Sequence, residues 1–396
     1  MIIEQILDRQ QTSLSEEILF CRKCVNSNQR PRLLFDEDGV CDACRFAEEK
    51  GRAIDWNERE RQLEALLDRF RSSDGNYDVI VPSSGGKDSC YVAHQLKYKY
   101  GMHPLCVTWA PAMYTDIGWE NLQNAARYFD TELYMPNREI HGKLTRLGFE
   151  LVGDPFEPWH YGQRAFPLHA ALQHDLRLVM YGENTGAEYG GRPESRTSPV
   201  ESLQDKKVIS GFRYDGGVDT LIRFGLEAGY LNDEDAHDGS LAYYRIPRQE
   251  DLTRCAVEMH WFSFYKEWIP QENYYYAVEE CGFKPNSERS EGTYSKYASL
   301  DDKTDGLHFY MQFIKFGFGR CTSDAAQEIR SGIITREEAV ALVHKYDGEF
   351  PKRYHAEVLA YMEMTEDEFR ATVDKFRLPH VWKRDGGSWK VRRRVS

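Results

Sequence analysis

The 396-residue chain has no apolar stretch as long as the roughly 18 residues a membrane-spanning helix needs. Its opening, Met1-Ile2-Ile3-Glu4-Gln5, shows an acid and an amide where a secretory leader shows basic residues and an apolar run. No membrane span and a cytoplasmic location are therefore expected. Basic charge is also in deficit, with 51 Lys and Arg against 64 Asp and Glu, a net charge of -13. That balance disfavours a nucleic-acid substrate, because sequence-independent attachment to a phosphate backbone is largely neutralisation by Lys and Arg. One basic run stands against it, Trp389-Lys390-Val391-Arg392-Arg393-Arg394, read as a contact to RNA or lipid, a contact to an acidic partner, or a frayed solvated end. Internal repeats and low-complexity tracts are absent.

What is present is enough apolar material, 41% hydrophobic and 13% aromatic, to fill the cores of two or three domains. The nine cysteines are unevenly spread. Cys90, Cys106, Cys255, Cys281 and Cys321 are scattered, whereas Cys21-Arg22-Lys23-Cys24 and Cys41-Asp42-Ala43-Cys44 form two Cys-x-x-Cys pairs separated by 16 residues. Two residues between thiols let each pair wrap one side of a tetrahedral ion, and Gly39 supplies a turn before the second pair. Four ligands leave no open position, so a structural Zn²⁺ is expected; an iron–sulfur cluster on the same thiolates and four unliganded cysteines are the alternatives.

Along the chain, a short helical lead over 1–20 and the cysteine module make up residues 1–50. Residues 51–200 read as an α/β unit. An amphipathic helix over 55–71 is followed by strands at 77–82, 104–109, 132–135 and 176–181, with helices at 89–100, 119–129, 140–151 and 160–174 between them. Such alternation predicts a parallel sheet covered by helices on both faces, with ligands beyond the strand carboxyl ends. Residues 201–250 are irregular and rich in Asp and Gly, an insertion or lid. Residues 251–396 read as mainly helical, with helices at 272–281, 307–316, 323–330, 335–346 and 365–376; Ser323-Asp324 and the capping box Thr335-Arg336-Glu337-Glu338 open two of them. This last part is expected to face the substrate or a partner.

The chemistry concentrates where the first strand meets its helix, at Ser83-Ser84-Gly85-Gly86-Lys87-Asp88-Ser89. Small residues at such a junction let backbone N–H groups point at an anion, and the helix N-terminus adds a favourable dipole. Lys87 supplies charge, Ser84 and Ser89 hydroxyls, and Asp88 a ligand for the Mg²⁺ that accompanies ATP. A Walker A loop is excluded, because Lys87 is followed by Asp88 rather than Ser or Thr.

The loop resembles the Ser-Gly-Gly-x-Asp-Ser loop of the ATP pyrophosphatases, which grips the departing pyrophosphate while a substrate oxygen takes the adenylyl group. Further motifs narrow the resemblance. Arg30-Pro31, Phe35 to Cys44, Gly153-Asp154-Pro155-Phe156-Glu157-Pro158-Trp159-His160, Gly182-Glu183-Asn184, Glu188 to Gly191, Arg289 to Tyr297 and Lys315 to Asp324 fall in the order seen in the N-acetyl sugar amidotransferase family, over about residues 18 to 376. The resemblance implies a HUP-like ATP pyrophosphatase fold and an ATP-dependent ligase of O-antigen, pseudaminic acid or legionaminic acid pathways. Such an enzyme turns the acetamido group of a surface sugar into an acetamidino group. Residue 2 is Ile, and no cysteine stands in a Gly-x-Cys-x-Gly elbow. Ammonia is thus expected from a separate glutaminase and channel subunit, as the resemblance also implies.

On this reading Ser84, Lys87, Asp88 and Ser89 are the catalytic residues. Ser83, Gly85, Gly86, Gly182, Glu183, Asn184, Lys315 and Arg320 join them around ATP, and Trp159, His160, Tyr294, Lys296 and Tyr297 meet the sugar or nucleotide-sugar. Each has a plainer role open to it: a helix cap for Asp88 and Asn184, solvated charge for Lys315 and Arg320, core packing for the aromatics. Two other functions remain open, a tRNA thiolase using Cys90 or Cys106, and a non-catalytic zinc scaffold.

Overall fold

In a computed structural model, which describes residues 3–201, 203 and 216–396, five parallel strands form one sheet in the order β3-β2-β1-β4-β5. They are β1 (Val79–Pro82), β2 (Pro104–Trp109), β3 (Thr131–Tyr134), β4 (Leu178–Tyr181) and β5 (Glu258–Trp261). The first four follow the sequence reading. β5 corrects it, since Glu258-Met259-His260-Trp261 lies in the stretch read as helical yet pairs in register with Leu178 to Tyr181. Its alternation of polar and apolar residues suits an edge strand.

Side chains alternate across the sheet. Ile80 joins Leu105, Val107 and Trp109 on the face covered by helices α5 (Arg138–Val152) and α6 (Glu157–Gln173). Val79 and Val81, with Cys106, Leu178 and Met180, point to the other face. Helices α2 (Trp56–Phe70) and α3 (Lys87–His94) and the Pro270–Cys281 helix cover that side. On the first face, a Cβ at Gly162 would lie 1.9 Å from the Trp109 ring, so only glycine lets α6 settle onto β2.

The remaining elements pack around this layer. The Asp305–Phe316 and Glu366–Lys375 helices enclose Phe149 together with an antiparallel hairpin, β6 (Trp382–Asp385) and β7 (Ser388–Val391). The hairpin was not foreseen, and it disposes of the frayed end. Arg393 donates to the Ile18 carbonyl at 2.8 Å, and Val395 is buried against the cysteine module. Over its described residues, 3–20, the lead is not helical beyond a 3₁₀ turn at Gln11–Ser13; it runs beside α5, with Leu7 N–H donating to Leu151 O at 2.7 Å. The 323–330 helix starts earlier, at Arg320, because its first turn is capped from a distance by Asp347, which accepts from Gly319 N–H at 3.0 Å and Thr322 N–H at 3.2 Å. The Thr335 capping box is present as read. Within the stretch read as irregular, Gly217–Glu227 is a helix packed on α5, while positions 202 and 204–215 lie outside the described residues. No described helix is long and apolar enough to cross a membrane.

Gly162→Ala should lower the unfolding free energy by about 2 kcal/mol, the ordinary cost of overpacking less the small gain in helix propensity. Urea unfolding followed by tryptophan fluorescence measures it, and an unchanged midpoint would mean that α6 is free to move off β2.

Candidate functional site

The strand order reverses at β1, whose neighbours β2 and β4 follow it on opposite sides, and that is where a crevice opens in a sheet of this kind. The turns after β1 and β4 form its floor. Gly85 has φ +79, and a Cβ there would sit 2.6 Å from the backbone of Leu122 in helix α4 (Asp116–Ala125), so this turn tolerates no side chain. Ser83 fixes it from within. Its hydroxyl accepts from Gly85 N–H at 3.2 Å and pairs with the Ser89 hydroxyl at 3.0 Å, and its carbonyl accepts from Thr108 Oγ1. Helix α3 starts at Gly86 without any side-chain cap, which leaves the loop's N–H groups at the positions where an anion is best received.

Two connected spaces meet at this turn. The larger, about 700 Å³, is lined by Ser84, Gly86, Lys87, Asp88, Trp159, His160, Glu183, Tyr297 and Arg320 among others. The smaller, about 230 Å³, lies over the strand ends Val81, Pro82, Val107, Trp109 and Tyr181, and shares Ser84, Gly86, Asp88, Trp159 and Glu183 with the first. Lys87 and Asp88 form an ion pair, and Asp88 also accepts from Asn273 Nδ2 at 3.2 Å. Arg320 donates to Asp324 at 2.8 Å beneath Phe309. Burial, and then the Asp88 charge, push the Glu183 carboxyl up to about 7.

The other sequence candidates lie elsewhere. Lys315 is buried against the N-terminal lead, paired with Asp8 and donating to Val152 O at 2.6 Å, and does not line either space. Lys296 donates to Ser287 O at 2.9 Å on the surface, and Tyr294 donates to Glu328 at 2.7 Å beside the cysteine module. Asn184 caps the turn that follows β4, accepting from Gly186 and Ala187 N–H. Sequence reasoning missed Arg30, Arg32, Arg164, Asp301, Asp305 and His308, all of which line the large space. Arg30-Pro31 sits among the motifs quoted above, and its basic residue in a cysteine module was the available signal. Arg164 occupies an ordinary helical position and carried none.

The four module cysteines are buried together, with Cys21 and Cys44 Sγ 3.9 Å apart and Cys24 and Cys41 Sγ 3.7 Å apart. Those spacings fit a tetrahedral Zn²⁺, whose ligands at ~2.3 Å stand roughly 3.8 Å from one another. Cys21 Sγ also receives the N–H groups of Lys23, Cys24 and Cys41 at 3.4, 3.5 and 3.3 Å, as a thiolate requires. The module packs on Ala325, Ala326 and Ala339 of the C-terminal helices. It carries Arg30 to the cavity, where Arg30 Nη1 donates to Ser323 Oγ at 3.3 Å and the guanidinium lies over the rings of Tyr189 and Phe318.

Two comparisons bear on this arrangement. Residues 291–396 match the family described as LPS biosynthesis protein WbpG-like, C-terminal domain. A 120-residue stretch, 30% of this chain, is 24% identical to "Uncharacterized protein MJ1599" of Methanocaldococcus jannaschii and spans 43% of that protein.

Cys24→Ser should reduce the zinc content well below one ion per chain, read by atomic absorption, and lower the melting temperature; retention of a full equivalent would refute ligation by this group. Glu183→Gln tests the buried carboxyl. Its charged form is penalised only in the folded protein, so stability is intact below its ordinary value of 4.5 and declines as pH rises to about 7. The substitution should therefore raise the melting temperature at pH 8 and leave it unchanged at pH 4, by calorimetry. Equal effects at both values would contradict the assignment.

Proposed function

We propose that this protein is an ATP-dependent amidotransferase that converts the N-acetyl group of a bacterial surface sugar into an acetamidino group, releasing AMP and pyrophosphate. The observation that carries the reading is the uncapped turn Ser84-Gly85-Gly86, closed to a side chain at Gly85, at the point where the strand order reverses, opening on both spaces. The match of residues 291–396 to an LPS biosynthesis domain supports a surface sugar as acceptor. The motif resemblance supports the ATP pyrophosphatase fold and a separate glutaminase as the ammonia source.

The smaller space lies over apolar strand ends and takes the nucleoside of ATP, and the loop takes its phosphates. Ser84, Gly86 and Ser89 supply hydroxyl and N–H donors, Lys87 and Arg320 supply positive charge, and Asp88 holds Mg²⁺, which offsets phosphate charge when bound. The larger space takes the sugar, with Trp159, His160 and Tyr297 on its wall. The amide oxygen attacks the α-phosphorus and pyrophosphate departs, leaving an O-adenylyl imidate. Ammonia then adds to the imidate carbon, AMP leaves with the oxygen, and a proton is lost to give the amidine. No protein nucleophile is needed. The residues orient the partners and exclude water.

Thiolation would need a cysteine at the cleft. Cys90 and Cys106 are buried in the sheet-facing core, burial pushes the Cys106 thiol up to about 12, and no cysteine lines either space among the described residues.

The purified protein with ATP, Mg²⁺, ammonium and a diacetamido sugar or its nucleotide-linked form should release pyrophosphate and AMP only when sugar and ammonium are both present. Turnover driven by tRNA instead, or no turnover with any acceptor, would sink the reading. Asp88→Asn should cut pyrophosphate release by at least a hundredfold with zinc content and melting temperature unchanged, and retained turnover would refute the metal role of Asp88.

A further inference from the structure

The stretch between α5 and α6 gathers a set of side chains of which the proposed reaction uses only His160, on the wall of the sugar space. Asp154 and Glu157 are buried, 4% and 2% exposed, and His160 is half-buried. One carboxylate oxygen of each acid and one ring nitrogen of His160 all lie within 4.8 Å of one another. Two carboxylates and an imidazole at that spacing are a donor set that a divalent cation can use.

Local structure brings them together for a mechanical reason. Gly153 takes the left-handed conformation at φ 66 and ends α5, so the chain turns sharply into Asp154. Pro158 sits in the first turn of α6, where its missing N–H costs nothing, and the i, i+3 spacing places Glu157 and His160 on one helical face. Di-iron carboxylate proteins use a Glu-x-x-His pair on each of two helices; a single such pair is present here, with Asp154 as the further carboxylate.

Neighbours hold the donors from behind. Asp154 Oδ1 accepts from Phe156 N–H at 2.9 Å and pairs with His308 Nδ1 at 2.7 Å, and Glu157 Oε1 accepts from the Tyr161 hydroxyl at 2.7 Å. Such outer contacts fix the direction of ligating groups. Glu157, His160 and His308 line the 700 Å³ space.

The geometry points to a second metal site, in which Asp154, Glu157 and His160 bind a divalent first-row transition ion whose open positions face the large space and hold an oxygen of the bound acceptor. One imidazole with two carboxylates suits Mn²⁺, Fe²⁺, Co²⁺ or Zn²⁺ and is unlike the all-sulfur module. The site depends neither on nucleotide chemistry nor on the loop.

Mn²⁺ is the probe, added without nucleotide to full-length protein that retains its module zinc. Electron paramagnetic resonance titration should show one tightly bound Mn²⁺ per chain. Glu157→Gln and His160→Gln should each weaken it at least tenfold without changing zinc content or melting temperature, while Asp88→Asn leaves it unaltered. Anomalous diffraction from Mn²⁺-soaked wild-type crystals should place the ion between Asp154, Glu157 and His160, so the test stands even if a variant misfolds. No bound Mn²⁺, an anomalous peak elsewhere, or loss of binding in Asp88→Asn but not in Glu157→Gln would overturn the proposal.

Discussion

The cleft depends on one close approach, that of the Gly85 backbone to the backbone of Leu122. The turn after β1 lies so near α4 that a single added carbon would stand 2.6 Å from it. Two things follow from that contact. The loop cannot relax toward an ordinary capped helix start: Ser83 Oγ takes Gly85 N–H, and the N-terminus of α3 carries no side-chain cap. The turn also lies low against the sheet, which leaves room above it for both spaces. Ser83 adds little energy of its own, but its three hydrogen bonds tie the turn to β2 and α3, so the shape is set before any ligand arrives.

The cysteine module acts on the cleft through a different constraint. It has too little apolar surface of its own and is completed by Ala325, Ala326, Ala339 and Val395 from the far end of the chain. Arg336 donates to the carbonyls of Cys21 and Cys24, and Arg330 lies in the field of Cys24, Cys44 and Cys41. A four-thiolate zinc centre carries net negative charge, and these guanidiniums offset it. Because Arg30 belongs to the module and reaches Ser323 in the helix that packs on it, a metal held by the four thiols at one end would fix a cation at the other.

What the sequence revealed and what it hid divide along physical lines. The strands at Val79, Pro104 and Leu178 are continuous apolar runs, and Gly85-Gly86 between strand and helix has few meanings, so the sheet and the loop were legible. β5 was hidden because Glu258 and His260 interrupt its apolar character, and what recruits it is pairing with β4, a tertiary effect. The hairpin at 382–391 has only Trp382, Trp389 and Val391 as apolar residues and becomes a hairpin by packing Trp382 into the core around Phe149. Lys315 illustrates a further limit. A lysine within a phosphate-rich motif context looks like a clamp, but its partner Asp8 lies more than 300 positions away, and no local signal announces that pairing. Arg320, three residues before the start read for this helix from the sequence, reached the cleft because Asp347 fixes the start of that helix.

The charge in the cleft carries the argument further. Its larger space is lined by Asp88, Glu157, Glu183, Asp301, Asp302, Asp305, Asp324 and Glu328, against Arg30, Arg32, Lys87, Arg164 and Arg320. Among the described residues acids therefore outnumber permanent cations in the space beside the loop, an arrangement that disfavours an anion there unless something offsets the excess. Two mechanisms are built in. Burial pushes Asp302 and Glu183 up to about 7 and Asp305 to about 6, so part of the carboxyl set is protonated near neutral pH. Others are paired within the protein: Asp88 with Lys87, Asp324 with Arg320, and Glu328 with the Tyr294 hydroxyl. A cleft of fixed arginines would bind the triphosphate and the released pyrophosphate alike. Under the proposed reaction, a cleft that borrows its positive charge from exchangeable ions would let the products leave with the metal, so its acidity would serve turnover rather than oppose binding.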